Sequence, residues 1–156
     1  MAIAKHAPQL VILLTAGLAL AQTQTPPAEP VAQPALRNIG TMSQLMINII
    51  YPTSDAIFYV DRNEPKTEVD WNNLANQSLM LAESANLLMM PGRARDQQDW
   101  LSASAKMREA GTTAFKAARA KDIEGIRNVN DQLYDSCVSC HTKYRPNYPR
   151  RPADPK

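Results

Sequence analysis

The stretch Cys137-Val138-Ser139-Cys140-His141, close to the end of the chain, constrains this sequence more than any other. Two thiols two residues apart with a histidine directly after them form the attachment pattern of a c-type haem. The chemistry explains the spacing. Each thiol adds across one vinyl group of the porphyrin to give a thioether. The two intervening residues let both sulfurs reach adjacent vinyls from one helical turn, and the imidazole then lies under the ring and can bind iron. Other readings compete for the same residues. A thiol–disulfide motif needs only the cysteines and usually opens a helix beside a βαβ pattern, whereas this motif ends a helical stretch. A structural zinc site needs four ligands. This stretch supplies three, and the chain has only these two cysteines. The third alternative is a chance match.

Residues 1–21 carry the marks of a secretory signal. Lys5 and His6 give a short basic start, and an apolar run follows from Leu10 to Ala21. That run has the length of a signal core and falls short of a membrane span. Ala19-Leu20-Ala21 is an A-x-A cleavage site, so cleavage is expected after Ala21 and a periplasmic location with it. An uncleaved N-terminal anchor is the alternative. Export and the haem motif support each other, because covalent haem attachment follows export in bacteria.

Cleavage sharpens the chemistry. The chain has two histidines, and His6 would leave with the signal, so His141 becomes the sole imidazole. A sixth iron ligand then has to be a Met thioether, water, an exogenous small molecule or a Lys amine. An enzymatic role such as peroxidase chemistry is disfavoured, because no distal histidine remains as an acid–base group. The formal charge of +2 is too small to argue for a nucleic-acid partner.

Residues 22–34, rich in Gln, Thr, Ala and Pro, form a leader with no means of burying a core. Four amphipathic segments follow. Helix A is expected from Ala35 to about Val60, with Leu36, Ile39, Met42, Leu45, Met46, Ile49 and Ile50 on one face and a kink at Tyr51-Pro52. Helix B is expected from Thr67, a good N-cap with Glu68 and Asp70 in the first turn, to Met90 before Pro91-Gly92. Helix C is expected from Asp96 to Ala120, with an Ala-rich face that a neighbour or a flat ring could approach closely. Helix D is expected from Asp122 into the haem motif. Trp71 and Trp100 are read as core. The tail over 149–156, like Pro146 before it, should be irregular. Short loops between four such segments predict an all-α fold, an antiparallel four-helix bundle over residues 35–148 with a covalently attached haem.

Helix D with its motif, Cys137-Val138-Ser139-Cys140-His141-Thr142-Lys143-Tyr144-Arg145, resembles the class II cytochromes c, the cytochrome c-prime family. That family pairs a C-terminal CxxCH with a following aromatic and an arginine. The resemblance implies haem enclosed between the helices, with the distal group supplied by the first helix. Some members place Met there and transfer single electrons. Others place an apolar residue there and bind nitric oxide or carbon monoxide at an open iron. Many members carry I-x-x-R-Q-x-x-M in this helix. Here the run is Ile39-Gly40-Thr41-Met42-Ser43-Gln44-Leu45-Met46, so Met46 falls on the family's Met position while Met42 and Ser43 replace the Arg-Gln pair. The expectation is a one-electron carrier with Cys137 and Cys140 as tethers, His141 as proximal ligand and Met46 as distal ligand. Gas binding is the alternative. Met42 lies one turn from Met46 on the same face and competes with it as the ligand. Arg145 can pair with a haem propionate or face solvent. Lys143, Arg145, Arg150 and Arg151 form a basic cluster able to steer acidic redox partners, periplasmic or membrane-bound. Homodimers are a family habit of which the sequence itself carries no sign.

Overall fold

The computed structural model describes residues 35–145. The signal expected over 1–21, the leader over 22–34, and Pro146, Arg150, Arg151 and the tail lie outside the described residues. Within them the chain is all-helical, with no strand. The first helical stretch consists of α1 (Met42–Leu45), a π-helical turn (Met46–Ile50) and α2 (Tyr51–Phe58), followed by a 3-10 turn at Val60–Arg62. Three further stretches are α3 (Glu68–Leu88), α4 (Asp99–Ala120), and the pair α5 (Ile123–Asn128) and α6 (Asn130–Tyr144). None of these helices is long and apolar enough to cross a membrane.

The helix starts follow side-chain chemistry. The first helix opens at Met42, later than the expected Ala35. The Thr41 hydroxyl accepts the Gln44 N–H, and the Gln44 side chain accepts the Thr41 N–H, a capping box that fixes the first turn. Leu36 and Ile39 fit the apolar spacing yet are 71% and 92% exposed, so spacing alone did not extend the helix past this cap. The segment before the cap is held by the loop that follows α3. The Asn38 amide donates to Pro91 O at 3.1 Å, and Arg93 Nη2 donates to Gly40 O at 3.2 Å. A second capping box, Thr67 with Asp70, opens α3 as expected. Asp96 lies ahead of α4 and accepts the N–H groups of Gln98 and Trp100, so it caps the helix it was expected to begin.

Pro52 does not break the first helix. The chain passes from α1 through the π-helical turn directly into α2, with Pro52 in the first turn of α2. Proline offers no N–H to the preceding turn, and the wider π-helical turn directly before it accommodates that missing bond. The Thr53 hydroxyl donates to Ile49 O at 2.7 Å and Ile50 O at 3.0 Å, which satisfies carbonyls beside the distortion. Helix D differs as well. It is broken at Val129, between Asn128 and Asn130, where two poor helix formers flank the junction.

The core runs along α3 and α4, which share the most extensive interface. Leu74, Leu81, Ala85 and Leu88 of α3 meet Trp100, Ala110, Ala114 and Ala118 of α4 in one buried cluster. Much of the Ala-rich face of α4 is therefore taken by α3. The approach is closest at Gly111, where a Cβ would lie 2.7 Å from the Ala82 backbone nitrogen. The first helix packs mainly on α3, and α6 packs mainly on α4.

Candidate functional site

A cavity of about 490 Å³ is lined by Met46, Ile47, Ile50, Tyr51, Ser54 and Phe58 of the first helix and by Ser136, Cys137, Cys140, His141 and Arg145 of the last. Leu88 of α3 and Ala103, Ser104 and Met107 of α4 complete it. Its size falls in the ~300–1,000 Å³ range of small-molecule and cofactor sites. The π-helical turn contributes to the wall. Met46, Ile47 and Ile50 lie in it, and π-turns recur at functional sites. Ile47 and Tyr51 are 64% and 65% exposed, so the cavity opens to solvent beside them.

The structure brings every expected site residue to this one cavity. Cys137 and Cys140 are free thiols, half-buried and buried, one turn apart on α6. Burial raises the Cys137 thiol above its ordinary pKa. Burial, with Cys137 and Asp96 nearby, pushes Cys140 up to about 11. A redox-active thiol pair needs the opposite shift, toward thiolate at neutral pH. His141 is half-buried, and both burial and the Arg145 charge lower its pKa. That shift favours the neutral form of the imidazole, the form in which histidine binds metals. Arg145, at the end of α6, is exposed and also lines the cavity.

Among the described residues, no three His, Cys, Asp or Glu side chains converge as a group that holds a single ion. Cys137, Cys140 and His141 share a wall without meeting at one point.

Met46 and Met42 part company here. Met46 lines the cavity, while Met42 packs partly buried against the core outside it. A second thioether, Met107, lines the cavity from α4 and is buried at 5% exposure. It belongs to the expected buried stripe of that helix, and nothing in the spacing marks which part of the stripe meets a cavity. Ser54, Ser104 and Ser136 also reach the wall from three helices. Each donates its hydroxyl to its own helix, at 3.0, 2.8 and 2.7 Å. Trp100 does not line the cavity. It is buried, and its Nε1–H donates to Leu88 O at 2.8 Å, as a core residue would. Trp71 is half-buried against the core. Of the expected basic cluster, Lys143 and Arg145 lie among the described residues. Lys143 Nζ lies 2.6 Å from Asp99 Oδ2 and 3.6 Å from Asp96 Oδ2, so its charge is largely compensated.

No protein family, no curated protein and no solved structure matched this chain when it was compared with them. What fold and site define together is an all-helical domain with a cofactor-sized cavity, walled among others by two thiols, one imidazole and two thioethers.

Proposed function

We propose that this chain is a periplasmic monohaem cytochrome of the class II kind, an antiparallel four-helix bundle that carries single electrons between larger partners. The observation that carries the reading is the convergence of Cys137, Cys140, His141 and Met46 on one cavity from two separate helices. The residues present fit a haem. The walls at Ile50, Phe58, Leu88 and Met107 are apolar, Ala103 leaves room, and the volume is of cofactor size.

A bound haem supplies a one-electron iron couple. Everything else is work for the chain. Cys137 and Cys140 would hold the haem through two thioether tethers. His141, whose burial favours the neutral imidazole, would offer a ring nitrogen as proximal ligand. Met46 offers a soft thioether as distal ligand, which favours reduced iron. The apolar walls at Ile50, Phe58, Leu88 and Met107 would limit reorganisation around the metal on the side away from the opening. Arg145 matches a propionate in charge and geometry. Ile47 and Tyr51 leave an opening through which a partner can approach.

The test is the optical spectrum of the haem-loaded protein, ferric and ferrous, with and without carbon monoxide. Low-spin spectra indifferent to carbon monoxide in the wild type and in Met42→Ala and Met107→Ala, with a carbon monoxide response in Met46→Ala, support the reading. A high-spin wild type that takes carbon monoxide at once sinks Met46 as ligand and moves the function to gas binding.

A further inference from the structure

The turn of α6 that carries His141 is the last turn of its helix, where helices ordinarily fray. Here it is held by a cluster outside the cavity. Asp96 supplies both halves of the hold. Its Oδ1 accepts the N–H groups of Gln98 and Trp100 at 3.0 and 3.1 Å, at the start of α4. Its Oδ2 accepts the Tyr144 hydroxyl, at the end of α6. The Tyr144 ring stands edge-on to the Trp100 ring, centroids 4.9 Å apart at 73°. Trp100 in turn donates to Leu88 O near the end of α3. Lys143 adds its ion pair with Asp99. The ends of three helices therefore meet around one carboxylate and two rings.

Tyr144 is three residues from His141 and four from Cys140, so all three share a face of α6. Fixing Tyr144 fixes the rotation of the turn that presents the imidazole and the second thiol to the cavity. We infer that Tyr144 and Asp96 are positioning residues for His141: they orient its ring within the cavity and thereby tune the metal it holds. The inference deepens the haem reading and rests on it for its second half. The first half, the orientation of the ring, belongs to the chain alone.

Tyr144→Phe keeps the ring on Trp100 and removes the hydroxyl. Asp96→Asn keeps an oxygen for the α4 cap and sets an amide donor against Tyr144. Arg127→Ala is the control for stability alone, because it breaks the exposed ion pairs with Asp61 and Glu64, none of which lines the cavity. Two readouts are taken on the full chain. In the haem-free protein, nitrogen-15 NMR follows the His141 ring. In the loaded protein, a redox titration gives the reduction equilibrium. Tyr144→Phe and Asp96→Asn are both expected to move the His141 ring signals. Each should also change the reduction equilibrium constant by about tenfold, the lower end of what outer partners of metal-bound histidines carry. Arg127→Ala should lower the melting temperature and move neither. The inference is overturned if the two clamp variants leave both readouts in place, or if Arg127→Ala moves them equally. A wild type that takes up no haem would sink the reading of the site and leave the NMR arm to decide the clamp.

Discussion

At the scale of single residues, the two thiols separate the readings most sharply. With Cys140 pushed from 9.0 up to about 11, the folded haem-free chain holds about a hundredfold less thiolate there at pH 8 than an unfolded chain does. Alkylation of Cys140 at pH 8 should therefore be slower by about that factor in the folded protein and should recover as the pH climbs toward 11. Rapid alkylation of the folded chain at pH 8 would return the motif to thiol–disulfide chemistry. The motif was legible in the sequence because its spacing is local and its chemistry demands it. The choice between Met46 and Met42 was not, since both lie on one face a turn apart. Only the placement of Met46 in the π-helical turn brings it to the cavity wall while Met42 stays outside. Met107 was hidden for a related reason. Its stripe on α4 serves α3 over most of its length and the cavity only around Ala103, Ser104 and Met107.

At the scale of elements, the turn bearing Met46 depends on Thr53, whose side chain is buried and whose hydroxyl covers the Ile49 and Ile50 carbonyls. Thr53→Val keeps the shape and strips that hydroxyl. It should cost about 1–3 kcal/mol in chemical denaturation, and an unchanged stability would mean the turn does not need it. Gly111→Ala tests the contact between α3 and α4. The helix-propensity gain of about 1 kcal/mol should be outweighed by the collision with the Ala82 backbone, so the variant should melt lower than the wild type. The start of α3 carries a pH dependence. The Thr67 hydroxyl and N–H, with the Lys66 N–H, hold the Asp70 carboxyl below its ordinary value of 3.8. Its contribution is full well above pH 3.8 and is lost as the pH falls through the lower folded value. Asp70→Asn should therefore lower stability at pH 7 and make little difference at the acid end of a denaturation series. Capping signals such as Thr67 and Asp70 were readable because they act within one turn. The late start at Thr41 and the break at Val129 were not. Leu36 and Ile39 satisfy the helical spacing without being buried, and Val129 fits the apolar face on either side of its break.

At the scale of the whole molecule, three facts meet. The described chain is all-helical, its first and last helices wall one cavity, and that cavity gathers the chemistry the sequence had placed near its two ends. The helical class was legible from periodicity alone, because four long amphipathic stretches leave no room for strands. The cavity was not. Its existence depends on α3 and α4 packing closely enough at Ala82 and Gly111 to take most of the small-residue face, leaving the gap beside Ala103. The central claim is that Cys137 and Cys140 hold a haem by covalent bonds. The direct measurement is the intact mass of the chain, denatured and acid-extracted, after expression in a host with c-type maturation machinery. The account predicts that one haem stays on the wild type, and that none stays on a variant with both Cys137→Ser and Cys140→Ser. A wild-type mass equal to the bare chain, with two thiols still open to alkylation after denaturation, would contradict it.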